Sequence, residues 1–304
     1  MSAAAPPPAI REAPFGYRLT RRLTEYARLM RLDRPVGTWL LLWPALWGLW
    51  IAGAGRPHPQ VLGIFALGVV VMRAAGCVIN DFADRNIDPF VQRTRDRPLA
   101  ARRVSPREAL VLFVLLLAVA AYLVTRLDRF TIELACLGAL FTASYPLFKR
   151  FFPLPQLYLG ISFGGFSVLM AFAAETGTLP RVAWVLFIAA GLWAAMYDTI
   201  YAMVDREDDL KIGVRSSAIL FADLDKFLIG VMQAMMLYAL VLVGRNLEFG
   251  RPYQGGVIAA GVLYAWQQWL IRKREPAACL KAFLNNQYVG LAVFVGILLQ
   301  YVYA

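Results

Sequence analysis

Nine predominantly apolar runs divide this chain, each 17 to 24 residues long: 37–53, 61–79, 108–124, 131–148, 154–175, 181–204, 227–244, 254–271 and 285–304. A helix of that length covers roughly 30 Å of lipid hydrocarbon. Strands would need alternating polarity and closure into a barrel, and these runs do not alternate. The composition agrees, with 60% hydrophobic and 17% charged residues against about half and a quarter in soluble domains. The expected fold class is therefore an all-α integral membrane protein of nine transmembrane helices, embedded in the lipid bilayer. Residues 36–304 read as one transmembrane domain, and residues 1–35 as a tail followed by an amphipathic segment. The opening stretch MSAAAPPPAIREAP is expected to be disordered and lacks the apolar core of a secretory signal.

Charge fixes the orientation. With 31 Lys and Arg against 20 Asp and Glu, the formal net charge is +11, which in a soluble protein would suggest nucleic acid. Its distribution argues otherwise. Twenty-four of the 31 fall on the N-terminal side of the spans, six (Arg56, Arg126, Arg129, Arg181, Arg245, Arg251) on the other, and Arg73 within the second span. Such asymmetry in short loops predicts a cytoplasmic N-terminus and a C-terminus outside, on the periplasmic face of a bacterial inner membrane. No nucleic-acid partner is expected. The single histidine, His58, argues against a His-based zinc site or a Ser-His-Asp triad. Cys77, Cys136 and Cys279 are far apart and read as small core residues.

The second run ends in NDFADRNID, Asn80 to Asp88, with carboxylates at Asp81, Asp84 and Asp88. Unpaired, these would repel one another and resist burial, so a cation is expected among them. At about 100° per residue a continuing helix places the three within roughly 60° of its surface, with Asn80 beside Asp84. The sixth run ends likewise in YDTIYAMVDREDD, Tyr197 to Asp209. There a continuing helix holds Asp198, Asp205 and Asp209 within about 40° of one another, with Asp208 on the flank. Both clusters lie on the predicted cytoplasmic side. Carboxylates so gathered are hard-oxygen ligands suited to Mg²⁺, which takes further ligands from substrate phosphates, so a diphosphate fits well. The plainer alternative, solvated acids paired with nearby arginines, suits either cluster alone better than two aligned ones.

Basic residues suit a diphosphate too. Arg93, Arg95, Arg97, Arg102 and Arg103 come after the first cluster, and Lys211 and Arg215 after the second. Most serve topology, and two or three are expected to touch substrate through guanidinium forks. Arg73, inside a span, reads either as the partner of an aspartate or as a substrate contact.

Across nearly its whole length the sequence resembles the UbiA-type intramembrane prenyltransferases. The resemblance runs through RLMRLDRPVGTWLLLWPALWGLW, MRAAGCVINDFADRNID, RDRPL, YPLFKR, LPQLYLG, MAFAAETGTLP, YDTIYAMVDREDDLKIGVRSSAILF and KAFLNNQYVGL. The NDxxDxxxD pattern marks the superfamily, and YDTIYAMVDREDD points to its hydroxybenzoate branch. The resemblance implies nine helices around a central cavity capped by cytoplasmic loops, with a prenyl tail entering from the bilayer. It implies Mg²⁺ as cofactor and a Mg²⁺–diphosphate site at Asn80, Asp81, Asp84, Asp88, Asp205 and Asp209. The family's YxxxK pattern falls on Tyr145 and Lys149, with Lys149 reaching the diphosphate. Asp198 and Arg150 match positions that hold the aromatic acid. The implied substrates are polyprenyl diphosphate and 4-hydroxybenzoate, with no obligate protein partner.

Two departures stand out. Arg102 replaces the glycine of the usual RPLxxG, and GGFSVLM in the fifth span differs from a Trp-containing form. The expected reaction is electrophilic aromatic substitution: diphosphate leaves, and the allylic cation is attacked by the ring carbon ortho to the phenol. Its rivals are a sister enzyme taking a naphthoate, homogentisate or haem acceptor, and a cation transporter. Against the transporter, the carboxylates lie at span ends rather than near the midplane.

Overall fold

A backbone in lipid has to satisfy its own hydrogen bonds, and among the described residues the apolar runs do so almost throughout as helix. The computed structural model describes residues 15–90, 94–151, 155–212, 220 and 222–303, with side chains described there except at 15, 18, 145–151, 155, 157, 207–212 and 222. Among these residues there is no strand. The α-helices are α1 Phe15–Leu29, α2 Val36–Ala52, α3 Pro59–Ala83, α4 Pro106–Val124, α5 Arg129–Phe151, α6 Pro155–Leu159, α7 Phe166–Thr176, α8 Arg181–Ile212, α9 Asp225–Asn246, α10 Arg251–Ile271 and α11 Pro276–Tyr303. A π-helical turn, Gly160–Gly165, joins α6 to α7. Among the described residues α3, α4, the Arg181–Arg206 part of α8, α9 and α11 are long and apolar enough to cross a membrane. The α2 helix and the Gly160–Thr176 segment are apolar but shorter. The protein is an integral membrane protein.

The helices group into two units. The smaller takes the chain up to Pro35 and Val70–Ala120; the larger takes Val36–Val69 and Ala121–Ala304.

In the smaller unit a modest apolar cluster, Leu29, Val78, Leu99, Val104 and Ala109, is framed by ion pairs. Buried Glu25 accepts from Arg103 Nε at 2.8 Å and Arg28 Nη1 at 3.2 Å. Glu108 accepts from Arg22 at 2.9 Å and from the Tyr26 hydroxyl at 2.9 Å. Ser105 and Glu108 also form a capping box at the start of α4, with Pro106 as its first residue. The Glu108 N–H donates to Ser105 Oγ at 3.3 Å and the Ser105 N–H to Glu108 Oε2 at 2.8 Å. Val111, Val114 and Leu115 on α4 stay exposed, as a lipid-facing helix requires. Arg102 adopts φ +56°. This is the left-handed conformation that glycine takes without strain.

The larger unit carries most of the core. Its α2 packs on α7 and α11, α8 on α6, the π turn, α9 and α11, and α10 on α9 and α11. Small residues admit large ones: a β-carbon at Gly290 would lie 2.2 Å from Trp43 and 2.8 Å from Trp193. Gly256 on α10 and Gly296 on α11 bring those backbones together in the same way, since a β-carbon on Gly256 would stand 2.8 Å from Gly296 Cα. Buried amides form a ladder through this core. Gln268 donates to Gln233 at 2.9 Å, Gln233 to Gln267 at 3.2 Å, and Gln267 to Asn285 at 3.0 Å. Asn286 Oδ1 accepts from Trp193 Nε1 at 3.1 Å. Satisfied amides of this kind are tolerated where an unpaired one is not.

Candidate active site

The first aspartate motif is built differently from the stripe its spacing suggests. Helix α3 ends at Ala83, and Asp88 lies in a 3₁₀ turn, Asp88–Phe90. Residues 84–87 between them form a turn. The chain turns back instead, with the Asp88 N–H donating to Asp84 O at 2.9 Å and the Thr94 hydroxyl to Asp88 O at 3.0 Å.

The turn brings Asp88 to the same partner as Asp81. Arg97 Nη1 lies 3.1 Å from Asp81 Oδ1 and 2.9 Å from Asp88 Oδ2. Arg31 Nη2 donates to the same Asp81 Oδ1 at 2.9 Å and to Oδ2 at 3.3 Å. Arg31 holds φ +58° at the end of α1 to reach there. Asp81 and Asp88 are buried, Asp84 is half-buried and Asn80 is exposed. Arg85 lies 4.4 Å above the Phe82 ring. Arg73 is half-buried and makes no ion pair among the described residues, so the arginines that meet Asp81 are Arg31 and Arg97.

The second motif lies on α8, which runs unbroken to Ile212, so Asp198, Asp205 and Asp209 share one helix. Asp198 and Asp205 are half-buried. Asp198 has no hydrogen bond or ion pair among the described residues. The fully buried carboxylate nearby is Asp225 at the start of α9. Arg274 grips it with contacts of 2.8 and 2.9 Å, and Arg206 approaches to 3.7 Å. Hydrogen bonding to Asp225 raises the Arg274 pKa further, against some desolvation.

Lys149, Tyr145 and Arg150 are on the backbone of α5, and Asp209 and Lys211 on that of α8, but their side chains lie outside the described residues, as does Arg215 altogether. Reading the sequence missed Arg31, counted there only as a positive-inside charge. Its signal was RLMRLDRP, a basic residue where a helix stops just before a proline. Asp225 and Arg274 were missed for want of any motif.

The donor set suits Mg²⁺. Carboxylates are the hard oxygen ligands it prefers. Among the described residues no three acidic side chains stand close enough together to hold a metal.

The UbiA prenyltransferase family profile matches residues 41–303, and this chain belongs to that family. It is 53% identical over 283 residues to 4-hydroxybenzoate octaprenyltransferase of Methylococcus capsulatus, covering 93% of this chain and 97% of the relative. It is 54% identical over 286 residues to the protein of the same name from Nitrosococcus oceani, covering 94% of this chain and 100% of that one. Among solved structures, a UbiA homologue from Aeropyrum pernix in its apo form has a TM-score of 0.75 at 24% identity, covering 86% of this chain and 97% of that one. A UbiA homologue from Archaeoglobus fulgidus bound to GPP and Mg²⁺ has a TM-score of 0.66 at 18% identity, covering 90% of this chain and 99% of that one.

Proposed function

We propose that this protein transfers a polyprenyl group from polyprenyl diphosphate to the ring carbon ortho to the hydroxyl of 4-hydroxybenzoate, releasing diphosphate, as a step of ubiquinone biosynthesis. One observation carries the reading: likeness above 50% to proteins named for that reaction extends over nearly the full length of both chains.

The substrates dictate the chemistry. The C–O bond of the allylic diphosphate breaks and its electron pair leaves with the diphosphate. The ring carbon ortho to the phenol supplies the pair that forms the new C–C bond, and the proton on that carbon is then lost to restore aromaticity. Mg²⁺ supplies charge neutralisation for the leaving diphosphate. Asp81, Asp84, Asp88, Asp205 and Asp209 would hold it, with Asn80 beside them. Arg97, Arg73, Lys211, Arg215 and Lys149 are the candidate diphosphate contacts, with Tyr145 one helical turn from Lys149. Arg31 and Arg97 meet Asp81, and Arg97 also meets Asp88, through ion pairs that hold these carboxylates in place. Arg150 would take the carboxylate of the aromatic acid as a charge-assisted pair, and Asp198 would orient the phenol. Water must be kept from the cation, which it would otherwise trap.

Residues 36–304 act in this reading as one prenyltransferase domain in the bacterial inner membrane. The N-terminus and the site face the cytoplasm, the C-terminus faces the periplasm, and no obligate protein partner is needed. Reporter fusions at the C-terminus test the orientation. Membranes containing the protein, given 4-hydroxybenzoate and octaprenyl diphosphate with Mg²⁺ or with EDTA, test the reaction. Prenylated acid that disappears with EDTA is the expected result. Product from a naphthoate or homogentisate acceptor instead would reassign the substrate.

A further inference from the structure

The π turn and α8 touch backbone to backbone. A β-carbon on Gly164 would stand 2.6 Å from the Ala190 carbonyl oxygen, and one on Gly160 would stand 2.3 Å from that of Gly191 and 3.4 Å from the Ala195 nitrogen. These residues define two facing stripes, Gly160–Gly164 on one side and Gly191–Ala195 on the other. Each stripe continues one turn further to a polar residue. Four residues before Gly160, one helical turn, is Gln156 on α6. Three residues after Ala195, on the same face of α8, is Asp198. The two helices run in opposite directions, as their paired residues show, so Gln156 and Asp198 stand at about the same level of the pair.

Gln156 is only 7% exposed, and its Oε1 is buried with no hydrogen-bond donor. A buried amide oxygen without a donor is disfavoured, and such groups in native structures usually await one. The Asp198 carboxylate at the same level is a second acceptor without a partner among the described residues. Two unengaged acceptors at one level of the helix pair call for a ligand that brings a hydrogen. Of the groups on the two proposed substrates, only the phenolic O–H supplies one at neutral pH: the diphosphate, the prenyl tail and the ionised benzoate carboxylate have none to donate.

We infer that Gln156 is a specificity-determining contact for the aromatic acceptor, its Oε1 accepting the hydrogen bond from the phenolic O–H. This rests on the proposed reaction with 4-hydroxybenzoate. The contact fixes the phenol oxygen, and hence which ring carbons are ortho to it, at the level of Asp198. As the ring gives up electrons the O–H grows more acidic, and the neighbouring carboxylate is placed to stabilise it.

The test is Gln156→Met in the full-length protein, assayed with 4-hydroxybenzoate and with 4-methoxybenzoate as a competitive inhibitor that lacks the donated hydrogen. The variant should raise KM for 4-hydroxybenzoate about tenfold or more while KM for the prenyl diphosphate stays unchanged. Its preference for the hydroxy over the methoxy compound should fall by a similar factor. Its Tm should rise, because the unsatisfied oxygen has gone. Unchanged KM and unchanged discrimination would overturn the contact. So would a lowered Tm with KM raised for both substrates, which marks a packing role. Wild-type protein that makes no prenylated 4-hydroxybenzoate would instead overturn the reaction itself, and the contact with it.

Discussion

Asp81 and Asp225 are alike in every local respect except one. Both are buried, at 1% and 0% exposure, and both are met by two arginines. Asp81 has Arg31 at 2.9 Å and Arg97 at 3.1 Å; Asp225 has Arg274 at 2.8 Å and Arg206 at 3.7 Å. The difference is the charge count. Arg97 also serves Asp88, so two buried carboxylates share two guanidiniums. Around Asp225 two guanidiniums meet one buried carboxylate and Asp223, which is 98% exposed. Burial and arginine pairing therefore do not mark a functional acid here. What differs is the sharing: at the first motif one guanidinium spans two buried carboxylates, whereas at Asp225 two converge on one.

Asp225→Asn should have the largest effect on the fold. It leaves Arg274 and Arg206 facing a neutral amide in a buried place, a loss of about 3 kcal/mol. Thermal unfolding in detergent would record it as a lower Tm, with transfer per folded molecule preserved. Asp81→Asn should be felt first in the reaction. Prenyl transfer per folded molecule should fall about 10²-fold, with Tm lowered too because Arg31 loses its carboxylate, while Asp88 remains to hold Arg97. An Asp81 variant that is active but unfolds early, or an Asp225 variant that is stable but inactive, would break the comparison.

A third carboxylate sharpens it, because it is held by hydrogen bonds and no cation. Asp128 caps α5, accepting from the Thr131 N–H at 3.0 Å and from the Thr131 hydroxyl. Partial burial pushes its pKa up, but these hydrogen bonds and that from the Phe130 N–H outweigh it and leave the pKa below the ordinary aspartate value. A lowered folded pKa means the contribution is present above the unfolded value, about 3.9, and is lost as pH falls through the folded one. Asp128→Ala should cost about 1 kcal/mol at neutral pH. Unfolding of both proteins at pH 7 and pH 3 should show that gap narrowing in acid. The smallest effect should be a gain: Arg102→Gly relieves the left-handed backbone and should add about 0.5 kcal/mol, read as a slightly higher Tm with the Arg97 clamp and activity intact.

Hydrophobic length made the helices legible from sequence, since a membrane imposes one period and one span on all of them. α2, α3 and α4 begin and end within a few residues of their apolar runs. The last helix begins at Pro276, nine residues before its run at 285, because PAACLKAFL continues the helix where Lys281 can stay exposed. The aspartates were legible as a pattern, and their arrangement was not. A 100° rule carries Asp88 onto the helix face only if the helix goes on, and it ends at Ala83. Arg31, Asp225 and Gln156 belong to no spacing at all. What distinguishes them is a contact, or the want of one, between segments far apart in the chain.

The Gly160–Gly165 turn has a consequence for how relatives of this chain can vary. Six residues wound as a π-helix hold about one residue more than an α-helix would fit in the same rise. That extra residue sets the rotational phase between α6 and α7. A one-residue deletion there would restore a regular helix and rotate α6 by about 100° relative to α7, swinging Gln156 and Gly160 away from α8 together. The segment therefore tolerates exchanges of side chain more readily than a change of length, and a gap placed there in an alignment would be a shift of register rather than a shortened loop.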